Sequence, residues 1–144
     1  MISLRNIIFV MGKSLWACLI FLLTANNINA QVANRYDIVI DEIMADPTLQ
    51  IGLPNNEWIE LRNNSAVTIN LQVFRLSDLT GQSGAMPSYL LKPDSFVIVC
   101  TGSAVAAMSA FDPTLSGTSF TSLDNAGAVI SLRSPQGKII HSVS

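Results

Sequence analysis

The chain has 144 residues, 49% of them hydrophobic and 12% charged, with a formal charge of −2 at pH 7. That is room for one domain with a packed core. Eight basic residues against ten acidic ones, scattered singly, exclude the clustered cations that a sequence-independent grip on nucleic acid requires.

The first thirty residues differ from the rest. Met1 to Lys13 carry Arg5 and Lys13 and no acid, and LWACLIFLLTA, Leu15 to Ala25, is an uncharged block of the length of a signal-peptide core. NNINA then gives a polar exit ending at Ala30. The expectation is a helical signal peptide over residues 1–30 with Gln31 as the new N-terminus, although Ile28 stands where a small residue is preferred. An uncleaved anchor needs roughly twenty apolar residues, and Lys13 interrupts the run from Ile7 to Leu23. A membrane is therefore expected to be met only through this segment, if it stays attached. Trp16 and the LIFLL after Cys18 are wrong for a lipid-anchoring cysteine. The expected location is outside the cytoplasm: extracellular, on the cell surface or periplasmic.

Removing the leader leaves six basic residues against ten acidic ones, a formal charge of −4, and Cys100 as the one cysteine. No internal disulfide is then available, so the core must supply the stability. Residues 31–36 read as a short linker to a domain over 37–144.

Along that domain, apolar runs recur at short intervals between turn clusters, and no long 3.6-period segment competes with them, so the fold class is all-β. YDIVIDEIM, Tyr36 to Met44, ends at ADPT, where Pro47 cannot continue a ladder. In EWIELRN, Glu57, Ile59 and Leu61 share one face of a strand and Trp58, Glu60 and Arg62 the other. NNSAVTINL supplies a turn and a short strand, VFRLSD a further strand, and LTGQSGAMPS a glycine-rich loop whose GQSG, Gly81 to Gly84, is expected to be mobile. YLLKPDS turns into FVIVC, Phe96 to Cys100, whose five consecutive apolar residues predict a central strand covered on both sides. SAVAAMSAF is the one place for a turn or two of helix, capped by Ser103 and stopped before Pro113. DNAG and SPQG bracket AVISLR as hairpin punctuation, and KIIHSVS closes the chain. The expected core is Ile40, Ile43, Trp58, Ile59, Leu61, Phe74, Leu76, Val97, Val99, Ile130 and Leu132.

The candidates for chemistry are few. Glu42 with Glu57 or Glu60 could form the carboxylate pair of a small acidic hydrolase, which needs two acids facing one bond. Glu57 and Glu60, three apart on a strand, point to opposite faces, and the simpler reading pairs Glu42 and Glu60 with Arg62 or Arg75 or has them accept backbone amides at a strand end. His141, the single histidine, sits near the ragged end of the chain as a solvent-facing strand residue, a poor place for a catalytic relay. One histidine and one cysteine cannot make a usual zinc set. Asp46, Asp78, Asp112 and Asp124 would be the ligands of a calcium-dependent binding module, but their spacing is that of turn-forming residues. Asn63 begins the acceptor pattern NNS for glycosylation, with a turn as the alternative account. Cys100 is expected to be a buried, inert thiol. No catalytic, cofactor or metal residue is assigned.

IVIDEIMADP, NEWIELRNNSAVTINLQVFRLSD, LKPDSFVIVC and LDNAGAVISLRSPQGKIIHSVS, in this order, resemble the lamin tail domain, including its exported bacterial forms. The resemblance implies an immunoglobulin-like β-sandwich, antiparallel with Greek-key connections. It departs from the family pattern where Val73 and Phe74 stand in place of the usual Gly-Trp, and at Ser144, short of the usual last strand, as though the edge were clipped. It implies a non-catalytic interaction or anchoring module, an adhesion or accessory domain of a larger surface protein, with a protein or cell-surface partner and no nucleic acid. Expected contact surfaces are the loops Thr48 to Asn56 and Leu79 to Ser88.

Overall fold

The computed structural model describes residues 32–48, 52–120, 122–123 and 127–144. The expected signal peptide, Asp124 and most of the DNAG turn lie outside them. Among the described residues, nine short strands and one helix follow in order: β1 (Ile38–Met44), β2 (Trp58–Asn63), β3 (Ile69–Asn70), β4 (Arg75–Ser77), β5 (Leu90–Leu91), β6 (Phe96–Cys100), α1 (Val105–Met108), β7 (Thr114–Ser116), β8 (Ile130–Arg133) and β9 (Ile139–Val143). They form sheets of order β1-β2-β6-β7 and β4-β8-β9, with β3 and β5 as a separate pair. The result is the all-β, immunoglobulin-like sandwich that the sequence predicts, with one exception to its antiparallel rule: β7 runs parallel to β6. The connection through α1 makes that possible, because a parallel neighbour needs a crossover where an antiparallel one needs only a turn.

The core lies between the two larger sheets. Ile38, Ile40, Ile59, Leu61, Val97 and Val99 from one side meet Leu76, Ile130, Leu132 and Ile140 from the other, with Ile69, Leu71, Phe74 and Leu91 in the same cluster. Ala33 joins that cluster and the Tyr36 amide bonds to the Ile140 carbonyl at 2.9 Å. The part of the expected linker from Ala33 to Tyr36 therefore packs into the sandwich instead of hanging from it.

Trp58 is buried, but in a second cluster. It packs on the outer face of its sheet with Ile98 and Cys100 under Ala104 and Met108. This explains why FVIVC reads as one apolar run: Val97 and Val99 face the inter-sheet core, whereas Ile98 and Cys100 face α1. The cap of α1 differs from the expectation. Ala104 holds the N-cap position with no side-chain hydrogen bond, while the Ser103 hydroxyl lies 3.2 Å from that of Thr101.

Ile43 is a correction to the expected core, being 36% exposed. Ile40 and Ile43 are three apart, and strict alternation puts such residues on opposite faces. A β-bulge between Ile40 and Glu42 shifts the register, so that Ile43 pairs with Ile59 and returns to the inner side. There it lies past the bulge on an edge strand, with a neighbour on one flank only.

The glycine-rich loop is held down, against the expectation of mobility. The Ser83 amide bonds to the Leu76 carbonyl, the Met86 amide to the Phe74 carbonyl and the Val73 amide to the Met86 carbonyl, and Ser83 and Met86 are buried. Residues 82–86 thus run back along β4 and cover its outer edge, which an exposed strand edge requires for protection.

Asn63 is fully buried. Its Nδ2 donates to the carbonyls of Val67 and Leu91 at 2.7 and 2.9 Å, and its Oδ1 accepts the Ser65 amide and hydroxyl at 2.9 and 2.7 Å. The nitrogen a glycan would need is committed inside the fold, so the turn account of NNS is the right one.

Candidate functional site

Residues directly opposite on paired strands share a face, so the register of β1, β2 and β6 draws the outer surface of the larger sheet. Met44, Trp58 and Cys100 form one row, Glu42, Glu60 and Ile98 the next, and Arg62 and Phe96 the last. The first row is roofed by α1. The second leaves two carboxylates side by side. The third carries an ion pair, Arg62 Nη2 to Asp94 Oδ1 at 3.0 Å, with the Arg62 guanidinium 5.6 Å from the centre of the Phe96 ring.

Of the three glutamates considered for acid chemistry, the structure brings two together. Glu42 is the cross-strand partner of Glu60, because the bulge moves Asp41 out of the register position that a regular strand would give it. Partial burial, then the charges of Glu42, Asp112 and Asp41, raise the Glu60 carboxyl above its ordinary value. Glu57 serves elsewhere: its Oε2 accepts the Leu123 amide at 2.9 Å and its Oε1 the Ser122 hydroxyl at 3.3 Å. The expected pairing of Glu42 and Glu60 with arginines is not found. Arg62 holds Asp94, and Arg75 Nη1 donates to the Ser83 carbonyl at 2.8 Å.

Of the aspartates weighed as calcium ligands, the three among the described residues, Asp46, Asp78 and Asp112, form no metal-binding group. Asp46 accepts from the Thr48 amide, and its hydrogen bonds to the Thr48 side chain and backbone hold its carboxyl below the usual value. Asp78 Oδ1 accepts from the amides of Thr80 and Gly81 and the Thr80 hydroxyl, at 2.7 to 2.8 Å. Asp112 lies outside the strands, near enough for its charge to act on Glu60. Among the described residues no group of three or more histidines, cysteines and acids is placed to hold a metal ion.

Cys100 is buried, and desolvation pushes its thiol pKa up, which leaves it inert as expected. His141 departs from its bland reading. Its Nδ1 accepts the Ile40 amide at 2.9 Å, its ring meets Tyr36 edge to face with centroids 5.7 Å apart, and burial, then the charge of Arg35, lower its pKa.

Beside the acidic row opens a groove of about 350 Å³ lined by Tyr89, Leu90, Lys92, Phe96, Asp112 and Pro113 among others. Asp112 belongs to both features, since it lines the groove and repels Glu60. The sequence gives no signal for this groove. It exists only because β5, the start of β6 and the approach to β7 meet in space, and the three-residue β7 was itself not foreseen.

None of the curated proteins compared with this chain matches it. The family model described as Lamin Tail Domain matches residues 31–144, the stretch that contains both sheets, the acidic row and the groove. The chain belongs to the lamin tail domain family.

Proposed function

We propose that this protein is an exported, non-catalytic structural or interaction module that works as an adhesion, anchoring or accessory domain in a larger surface or periplasmic system. Its membership of an immunoglobulin-like family of interaction modules supports the non-catalytic part. The observation that carries the reading is the disposition of the acids. Glu42 and Glu60 stand side by side on a sheet face, whereas glycoside hydrolysis needs two carboxylates on opposite sides of the bond, and neither glutamate lines the adjoining groove. Glu57 is tied to the Leu123 backbone.

The export part rests on the apolar leader and its basic flank. Two measurements test the reading. Cell fractionation should place the protein outside the cytoplasm, and the purified protein should cleave none of a panel of glycan and ester substrates. Hydrolysis that disappears in Glu42→Gln or Glu60→Gln would overturn the non-catalytic assignment; a cytoplasmic location would overturn export.

A further inference from the structure

Two strand edges end at the same groove. The Leu71 amide bonds to the Tyr89 carbonyl at 2.9 Å, so alternation along β5 turns the peptide N–H and C=O of Leu90 away from β3. The Ile98 amide bonds to the Pro113 carbonyl at 2.8 Å, so the same alternation in β6 turns the Phe96 peptide groups toward the β7 side. There the ladder stops, because the residue that would next donate is Pro113, which has no N–H. Among the described residues the peptide groups of Leu90 and Phe96 have no backbone partner on those sides. Both residues line the groove, and the Leu90 side chain is 64% exposed beside it.

We propose that the groove takes an extended, lysine- or arginine-bearing peptide segment of a partner protein, which adds as a short strand on the free peptide groups of Leu90 and Phe96. The inference rests on the interaction-module reading and deepens it. Main-chain bonds supply affinity in such strand addition, and alternate side chains supply selectivity. Here the alternate positions meet Tyr89, Phe96 and Pro113 on one side. The charge requirement follows from what surrounds the groove. Asp112 is on its wall, and Glu60, Glu42 and Asp41 lie close enough to act on one another, against Lys92 alone among the lining residues named. A cation at the Asp112 end meets charges that no ion pair within the described residues neutralises.

The test is an amide-resolved NMR titration of the protein with a blocked hexapeptide of alternating lysine and valine, compared with its glutamate–valine counterpart and with a version methylated at alternate backbone nitrogens. The expected result is shifts centred on Leu90 and Phe96, slowed exchange of their amides, and binding weakened roughly tenfold or more by either change of peptide. Asp112→Lys, on the partly exposed approach to β7, should weaken the lysine peptide by a similar factor while leaving the spectrum of a folded domain. Equal binding of the methylated or acidic peptide, shifts that spare Leu90 and Phe96, or no shift at millimolar peptide overturns the inference. Those outcomes leave the non-catalytic reading and the export reading standing, since the first fails only by the hydrolysis measurement and the second only by fractionation.

Discussion

Glu42 and Glu60 face each other across β1 and β2 with no ion pair to either carboxylate among the described residues. Directly opposed like charges destabilise a sheet by roughly 0.2–1 kcal/mol. Because the folded pKa of Glu60 is raised, the folded state takes up its proton first as the pH falls, so this cost is fully present above the folded pKa and is relieved toward the ordinary value of 4.5. Glu60→Gln should therefore stabilise the domain at pH 7, by a few tenths of a kcal/mol up to about 1. Urea unfolding at pH 7 and pH 4 measures it: the advantage of the variant should shrink at the lower pH, and an advantage that does not change with pH would refute the charge explanation.

The bond from Ile40 to His141 makes a second, opposite pH dependence. Nδ1 can accept the amide only in the neutral ring, since both nitrogens of the imidazolium are donors. The folded pKa is lowered, so the unfolded chain binds the proton first. The contribution is complete above the unfolded value near 6.5 and is lost as the pH falls through it to the folded pKa. His141→Ala should cost about 1–2 kcal/mol at pH 7.5 and flatten the stability profile between pH 7 and pH 5. A profile identical to the parent in that window would remove His141 from the account.

Val73 marks a place where the chain works against its own backbone. Its φ is +70°, in the region that β-branched residues avoid, and its side chain is 41% exposed, so little packing compensates. The Phe74 amide bonds to the Leu71 carbonyl at 3.0 Å, which makes Val73 the third residue of a tight turn, a position suited to glycine. Val73→Gly should raise stability by about 1 kcal/mol, the left-handed penalty less the entropy that glycine adds to the unfolded chain. Chemical denaturation showing a loss instead would mean that the exposed isopropyl group contributes more than its surroundings indicate.

Asn63 should be among the least replaceable polar residues. Asn63→Ala removes an amide that satisfies two carbonyls and two donors, two of them from the Ser65 turn, at a cost of roughly 2–3 kcal/mol. Calorimetry checks the stability. Mass spectrometry of the protein expressed in a glycosylating host should find no glycan on Asn63 in the folded product, and a glycan there would contradict the burial.

The fold was legible where local chemistry decides it. FVIVC matches β6 end to end, the Ser134 to Gly137 turn is made by the bond from the Gly137 amide to the Ser134 carbonyl, and ten of the eleven expected core residues are buried. What was hidden depends on partners distant in sequence. Whether Asp41 or Glu42 meets Glu60 is settled by a bulge of one residue, and alternation alone cannot locate that residue. The role of His141 requires Ile40, and β7 is too short to announce itself without β6 beside it. The glycine-rich loop was misread because composition shows freedom of the backbone but not the carbonyls of Leu76 and Phe74 that use it up.

The histidine clasp has a consequence for the order of assembly. Ile40 and His141 are 101 positions apart, whereas β2 meets β6 and β6 meets β7 over far shorter loops. Contacts of such long separation must wait for the loop-closure cost to be met. The sheet of β2, β6 and β7 can therefore nucleate around Trp58 and Val99 early, but the seam between β1 and β9 is sewn last, when nearly the whole domain is present. Until then the chain carries two unsealed margins, and that interval is when it most needs protection from its neighbours.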